Sequence, residues 1–488
     1  MKFFNSGERP SWVVSLIPFI VLIAALAVVI YVFGSDALSG ASQVALLFSA
    51  GVVVAISMIF YKTPWKVFEE SILDNIYAVG TSILILLLIG SVAGSWMISG
   101  VVPTMIYYGM KVIFPDIFLF ATCIICALIS IMTGSSWTTI ATVGVALVGI
   151  GTAQGYAPGW IAGAIISGAY FGDKVSPLSD TTVLASSSSG TPLFTHIRYM
   201  MVTTVPSFII TSVIFLVVSI MHEGTDAVHV ADISHDLKAT FNISPWLLLV
   251  PVLTALLIIR KVSAIVTLFI ASAIAGVSAL IFQPHILEAV ANNAAPVAES
   301  SLSFIEAFKG LSITYYGTTA IDTGNLVLNN LVGTRGMAGM LNTVFLIIAA
   351  GTFGGVLVGS GMLQSLTELL VRFVRRRVAL VASTVGTGVF ANMITGDQYL
   401  SIILTSSLYK KLYHDRGYES RLLSRSVEDS ATVVSVLIPW NSCGMTQATV
   451  LKVATLEYLP YCFFNLISPF MSILISALGY KIVRNKNE

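Results

Sequence analysis

Three polar stretches of this chain carry acids where the surrounding sequence is apolar, and a fourth repeats the pattern without one. Residues 172–182 read GDKVSPLSDTT and gather Asp173, Lys174, Ser176, Asp180 and Thr181 around Pro177. Residues 394–399 read ITGDQY, with Thr395 and Asp397, and residues 427–444 carry Glu428, Asp429, Ser430, Asn441 and Ser442 around Pro439. The fourth stretch, 132–137 (MTGSSW), offers Thr133 and Ser135. Carboxylates, hydroxyls and backbone carbonyls freed by proline or glycine are hard oxygen donors, which suit a hard cation. A carboxylate taken out of water also holds a proton more readily. One acid then accepts a proton or a monovalent cation, not both, and that competition is the simplest chemistry of ion exchange. The expected cation ligands are Asp173, Ser176, Asp180, Thr181, Thr133, Ser135, Thr395, Asp397, Asp429, Ser430, Asn441 and Ser442. The expected proton-coupling groups are Asp173, Asp429, Glu428 and Lys174, the lysine serving as counter-ion to an empty carboxylate.

These stretches come in two sets with the same order of parts. A small-residue helix (GSVAGSWMISG at 90–100, GTFGGVLVGSG at 351–361) is followed by a Thr-Gly break inside an apolar run. A second break with acids and hydroxyls comes next. In this order Asp173 is expected to match Asp429. Paired broken helices in duplicated membrane units mark secondary transporters, with the site between the repeats. The repeats are placed at 79–190 and 340–450 within one transmembrane domain of 488 residues.

Composition agrees: 56% of the residues are hydrophobic, 10% are charged and the mean hydropathy is +0.90. Soluble domains carry about 25% charged residues. The fold class expected is an all-α polytopic membrane protein of inverted repeats, with two re-entrant hairpins, two broken transmembrane helices and 11 to 13 membrane segments. The run at 13–33 is read as a retained first helix and not as a signal peptide, because it exceeds a signal core and lacks a small-residue cleavage site. Cys123 and Cys126 lie in an apolar run without a neighbouring His or acid, so buried thiols are expected. The six histidines fall in or beside loops, where a solvated role is expected.

Basic residues fix the orientation. Lys2 and Arg9, Lys62 and Lys66, His196 and Arg198, Arg260 and Lys261, Arg372, Arg375, Arg376 and Arg377, the basic residues between Lys410 and Arg425, and Lys481 to Lys486 all fall on one side if the runs at 117–152 and 378–409 each leave by the face they enter. The positive-inside rule makes that side the cytoplasm. The acidic loop with Glu223, Asp226, Asp232 and Asp236 then lies outside, and the two units run in opposite senses. Arms of about twelve residues are short of the roughly 17–25 that span a bilayer, which favours re-entrant hairpins over paired crossings. The segment 313–340, with Asp322, Asn325, Asn329, Asn330 and Arg335, is expected to form an outer-face or partly inserted helix.

At PTMIYYG (103–109), GSSWTT (134–139), GAYFGDKVSPLSDTT (168–182), GTPLFTHIRYM (190–200), RLLSRSVEDSAT (421–432) and IPWNSCG (438–444), the chain resembles the NhaC family of bacterial Na+/H+ antiporters. The resemblance runs over about residues 60 to 470. LVGTRGM (331–337) is a looser match. The resemblance implies inverted repeats with two re-entrant hairpins, a bacterial cytoplasmic membrane, and exchange of cytoplasmic Na+ for external H+ without a cofactor or enzymatic activity. The family also contains exchangers coupling Na+ and H+ to malate and lactate, so a small carboxylate is the alternative cargo. Sodium ion, proton and lipid are the expected partners, a homodimer is left open, and no nucleic-acid patch is present.

Overall fold

The structure is a computed structural model that describes residues 10–33, 40–222, 227–260, 262–293, 296, 302–323, 328–329, 332–366 and 376–481. Lys2, Arg9, Glu223, Asp226, Lys261, Asn325, Asn330, Leu331, Arg372, Arg375 and the residues after Lys481 lie outside them. Among the described residues the chain is helical, with a single isolated antiparallel bridge between Thr319 and Thr334. Nine helices among the described residues are long and apolar enough to cross a membrane, or up to eleven if each of two bent pairs is one span. The surface is inverted relative to a soluble protein. Ile20, Ile23, Phe48, Phe60, Phe269, Ile281 and Phe470 are exposed, whereas dozens of serines and threonines are buried. An apolar exterior over a polar interior is what hydrocarbon solvent selects.

The helices that position the polar stretches are α1 (Trp12–Phe33), α2 (Ala41–Tyr61), α3 (Trp65–Ile98), α4 (Val101–Val112), α5 (Phe118–Thr133), α6 (Ser136–Ala153), α7 (Pro158–Val175), α8 (Asp180–Ser189) and α9 (Leu193–Met221). Then come α10 (Ala227–Thr240), α11 (Leu249–Ile259), α12 (Ala264–Phe282), α13 (Pro284–Asn292), α14 (Phe304–Tyr316) and α15 (Leu341–Gly359). The last five are α16 (Arg377–Thr395), α17 (Gln398–Asp415), α18 (Ser420–Val427), α19 (Ser442–Leu451) and α20 (Phe463–Leu478).

α5 and α6 form a hairpin. At its tip Gly134 is left-handed (φ +67°). At its base Gln154 Nε2 donates to the Ile113 carbonyl and Tyr156 OH to that of Pro115, both at 2.8 Å. α16 and α17 form the second hairpin, with Gly396 (φ +62°) at the tip. Its antiparallel arms are tied by Thr387 Oγ1 and Tyr409 OH at 2.9 Å and by Thr384 Oγ1 and Tyr413 OH at 3.0 Å. The arms are 16 (α5), 18 (α6), 19 (α16) and 18 (α17) residues long. They exceed the dozen expected, and at 1.5 Å per residue they reach about 24–29 Å. Length therefore does not separate a re-entrant hairpin from two crossings.

Two poles are defined by side-chain contacts. At one, His222 stacks on Tyr156 at 3.8 Å and its Nε2 lies 3.3 Å from the Gln154 carbonyl. At the other, Lys410 Nζ donates to the Ser188 carbonyl and Ser420 Oγ to that of Gly190, at 3.3 and 3.2 Å. α9, 29 residues long, connects the poles. The α5–α6 hairpin is based at the first pole and the α16–α17 hairpin at the second, so the tips point at each other.

One constant offset in residue number relates the two units atom by atom. It carries Gly134 onto Gly396, Ser135 onto Asp397, Pro177 onto Pro439 and Ser179 onto Asn441. Ser130 Oγ donates to the Ala169 carbonyl at 2.6 Å, and at the offset positions Asn392 Nδ2 donates to that of Ala431 at 2.7 Å. The same offset corrects one expectation: it places Ser435 opposite Asp173 and Ser167 opposite Asp429, so those two acids do not match. Each unit keeps its acid at a different level of its broken helix. Tight packing holds this geometry, since a Cβ on Gly168 would lie 2.1 Å from the Cys123 carbonyl oxygen. Cys123 and Cys126 are buried free thiols, as expected.

The segment 313–340 is not one helix. α14 ends at Tyr316, the Thr319–Thr334 bridge follows, and a short 3-10 turn at Met337–Met340 leads into α15. Polar side chains explain the break: Asn329 Oδ1 accepts from the Thr323 amide at 2.7 Å and Asn329 Nδ2 donates to Asp322 at 3.0 Å.

Accessibility labelling of single-cysteine variants tests the two poles. Labels at Lys111 and Gly155 are expected on the external face, and labels at Arg376 and His414 on the cytoplasmic face. Different faces within either pair would refute the hairpin arrangement.

Candidate functional site

The two tips are built alike. Thr133 Oγ1 accepts from the Ser135 amide at 3.2 Å, and Thr139 Oγ1 donates to the Ser135 carbonyl at 3.0 Å. In the second tip Thr395 Oγ1 accepts from the Asp397 amide at 3.2 Å, and Ser401 Oγ donates to the Asp397 carbonyl at 2.7 Å. These hydroxyls replace the helical hydrogen bonds that the left-handed glycine interrupts, as side chains do in Ser/Thr turns. Ser135 then caps α6 by accepting from the Thr138 amide, and Asp397 caps α17 by accepting from the Leu400 amide. A carboxylate at a helix N-terminus is stabilised by the helix dipole. The N-cap is where the copies differ: a neutral serine in the first and an acid in the second.

A cavity of about 350 Å³ lies between the tips, lined on the polar side by Thr133, Ser135, Asp173, Asp180, Thr181, Gln398 and Tyr399. It extends to Ile258 and to Val262–Ile265, on either side of the turn between α11 and α12 that carries Arg260, which the charge rule assigns to the cytoplasm. Asp173, 6% exposed, accepts at Oδ2 from the Ser136 amide at 3.2 Å and the Ser136 hydroxyl at 2.7 Å. Its carboxylate thus meets the start of α6 across the first tip. Asp180 is exposed in the cavity and Thr181 is buried beside it, its hydroxyl 2.9 Å from that of Ser179. Asp397 sits behind the second tip, 2% exposed, with Ser442 Oγ donating to its Oδ2 at 3.3 Å. Its neighbours Gln398 and Tyr399 reach the cavity wall.

The remaining acids form a separate, fully buried cluster. Lys174 does not face Asp173; its ammonium donates to Asp429 Oδ1, joining α7 to the turn after α18. Thr203 Oγ1 donates to the same oxygen at 3.1 Å, and Arg425 Nε lies 3.9 Å from Asp429 Oδ2. His196 Nδ1 is 2.8 Å from Ser424 Oγ, and its Nε2 is 4.0 Å from Glu428 Oε2. Lys174, His196, Arg425, Glu428 and Asp429 are all fully buried. One expectation falls here: His196 is not solvated. Lys174, expected as counter-ion to a carboxylate, pairs with Asp429 across the repeats and not with its neighbour Asp173. The physical reason is helical geometry: adjacent residues on α7 lie about 100° apart around the axis, so Asp173 and Lys174 enter different environments.

The sequence candidates thus divide. Thr133, Ser135, Asp173, Asp180 and Thr181 meet at the cavity. Ser442 meets Asp397. Ser176 Oγ donates to the Ile131 carbonyl at 2.8 Å and Ser430 Oγ to that of Ser426 at 2.7 Å, so both are spent on backbone. Asn441 caps α19 and donates to Asn392. Thr395 shapes its tip, and Asp429 and Glu428 belong to the buried cluster. Sequence reasoning placed Ser136 and Gln398 in the two tips without a role of their own, and missed Tyr399, Thr203, Arg425 and His196. The four-residue spacing of Arg425 and Asp429 was a usable signal, because such pairs share a helix face. Ser136 and His196 gave none, since their partners lie far away in the chain.

Broken helices meeting tip to tip around a buried, acid-lined cavity define a multi-pass membrane transporter. The chain belongs to the Na+/H+ antiporter family, whose description matches residues 9–188 and 168–480. It is 36% identical over 431 residues to the Na+/H+ antiporter NhaC of Bacillus subtilis, covering 88% of this chain and 91% of that protein. It is 34% identical to the malate-2H+/Na+-lactate antiporter of the same organism (87% and 86%) and 32% identical to the arginine/ornithine antiporter ArcD of Halobacterium salinarum (98% and 94%).

The Lys174–Asp429 pair gives a stability prediction. Removing one partner of a buried ion pair strands the other, at a cost of about 3–5 kcal/mol, whereas replacing both by apolar residues is often neutral. Lys174→Met and Asp429→Leu alone are expected to lower the melting temperature in detergent, and the double variant to recover most of the loss. Additive losses in the double variant would show that the two charges do not stabilise one another.

Proposed function

We propose that this protein is a secondary active antiporter of the cytoplasmic membrane that exchanges cytoplasmic Na+ for external H+. The observation that carries this reading is the Asp173 carboxylate on the wall of a hydroxyl-lined cavity between two opposed tips. A monovalent cation entering from the cytoplasmic side meets oxygen donors: Asp173, Asp180 and the hydroxyls of Thr133, Ser135 and Thr181. No basic side chain stands among the described lining residues. The cavity is several times the roughly 30 Å³ that one water occupies in the liquid, so a partly hydrated ion fits. Ionised carboxylates hold the cation, and protonation of a buried carboxylate removes the charge that attracts it. Transport then needs only that the cavity open alternately to either pole, which the antiparallel repeats supply by interchanging their conformations.

A small carboxylate as additional cargo, the activity named for one relative, draws support from the helix N-termini at the two tips, where amides favour anions. Lys174, the base first considered for that task, is engaged with Asp429 instead.

Purified protein in proteoliposomes with an imposed pH gradient separates the two. Na+ movement without any organic acid is expected, and a strict requirement for malate or lactate would favour the carboxylate reading. Asp173→Asn is expected to abolish Na+-dependent proton movement while the protein remains folded and monodisperse. Asp397→Asn is expected to weaken apparent Na+ affinity without abolishing exchange. Flux at the wild-type rate in Asp173→Asn would sink the assignment of the cation to this cavity.

A further inference from the structure

The cavity accounts for Asp173 but leaves the buried cluster unexplained, and the charge balance of that cluster taken together with the neighbouring Asp173 is informative. Asp173, Glu428 and Asp429 bring three negative charges when ionised, and Lys174 and Arg425 bring two positive ones. The set carries one excess negative charge in an interior where net charge is strongly penalised. One added cation neutralises it. Asp397 stands apart, its charge met by the amides at the start of α17 and by Ser442.

Within the set the carboxylates differ. Asp173 accepts two hydrogen bonds from Ser136 and opens on the cavity, where a cation can reach it. Asp429 is held by Lys174 and Thr203. Glu428 is fully buried, neither of its oxygens accepts a hydrogen bond, and it does not line the cavity. A proton can neutralise such a group, because it is small enough to arrive by hydrogen-bonded transfer, whereas Na+ enters through the cavity, which Glu428 does not line. The geometry points to a division of labour: Asp173 is the cation site and Glu428 is the proton site, two different groups linked through α7 and not one carboxylate shared by both ions. This rests on the exchange function proposed above and specifies how it is coupled.

The groups facing Glu428 support the linkage. Lys174 and Asp173 face it from α7, and Asp429 and Thr432 from its own segment, with Arg425 beside Asp429. From α9 come His196, whose unpartnered Nε2 is 4.0 Å away, and Tyr199, whose ring lies 5.0 Å from the Arg425 guanidinium carbon. α17 packs against the 428–432 turn, and its buried tyrosines are Tyr409 and Tyr413. α8 packs nearby with Asp180 as its one titratable residue, and α16 beyond Arg377 and α20 carry none. With Asp173 empty and ionised, its negative charge favours a proton on Glu428. Na+ bound at Asp173 cancels that charge, the Glu428 O–H bond breaks with its electron pair left on the carboxylate oxygen, and the proton departs toward His196. The balance is Na+ plus protonated Glu428 and ionised Asp173, giving sodium-bound Asp173, ionised Glu428 and a free proton. The ionised Glu428 is then compensated by Lys174. Linkage is reciprocal, so protonating Glu428 must weaken Na+ binding by the same factor.

Calorimetric Na+ titrations of the purified full-length protein in two buffers of different ionisation enthalpy count the protons released. Wild type is expected to release about one proton per Na+ bound at a pH below the linked transition. Glu428→Gln is expected to bind Na+ with no proton release and with an affinity that no longer changes with pH. Glu428→Asp, which keeps the carboxyl, should restore release with a displaced pH profile; it also serves if the glutamine variant does not fold. Proton release from Glu428→Gln equal to wild type would place the proton on Asp173 itself and overturn the two-group assignment while leaving the exchange function intact. An unaltered pH profile in Glu428→Asp would overturn it equally. Na+ binding that survives Asp173→Asn would instead remove the cation from the cavity, which is failure of the functional reading and not of the proton assignment. Infrared difference spectra give a further readout: the protonated-carboxyl band lost on Na+ addition to wild type should be absent from Glu428→Gln, and its persistence there would again refute the assignment.

Discussion

A helix broken at bilayer depth leaves amides and carbonyls without partners, each costing several kcal/mol if it faces lipid. The architecture of this protein follows from how that cost is met. At each tip a threonine hydroxyl folds onto the backbone two residues ahead, and a hydroxyl four residues beyond the cap folds back onto it. The left-handed glycine between them has no Cβ, and Leu178 and Ala350 pack where one would stand in the first and second tips respectively. The tip can exist only while those neighbours enclose it, so hairpins, broken helices and small-residue packing form one cooperative unit.

The interior that encloses the tips also has to manage charge. It does so unequally in the two copies. The first has serine at the cap of its tip and Asp173 on its broken helix; the second has Asp397 at the cap and serine at the position matching Asp173. Duplication gave the same backbone twice, and divergence at the N-cap and on the broken helix moved the acids to different levels. The result is one polar cavity and one fully buried cluster in which Lys174 and Arg425 face Asp429, with Glu428 beside it. The two are joined by adjacent residues of α7, and a rotation or shift of that helix acts on both at once. The close approach of Gly168 and Gly172 to α5 makes such a movement a joint one.

Much of this was legible in the sequence. Apolar run lengths gave the membrane class, and the hydroxyl-rich breaks marked the two helical hairpins. Those signals are local, so they survive without a structure: a bilayer demands long apolar runs, and Thr-Gly or proline at depth demands a cavity. Of the candidate residues, Thr133, Ser135, Asp173, Asp180 and Thr181 do converge.

What the sequence could not supply was which acid meets which base. Asp173 and Lys174 are neighbours in the chain, but the turn of α7 sends them to different partners. Lys174 finds Asp429 more than two hundred residues away, and Asp173 finds Ser136. His196 seemed a loop residue because Pro192 and basic side chains surround it in sequence, yet packing of α9 against α18 buries it completely. Arm length suggested short re-entrant segments, whereas helical propagation through the apolar runs made them longer. Side-chain pairing inside a membrane protein is decided by crossing helices, and the order of residues along one helix fixes only the face on which each stands. The sequence alone determined the type of solvent and the chemistry available; tertiary structure decided how that chemistry was divided between a cavity and a buried charge cluster.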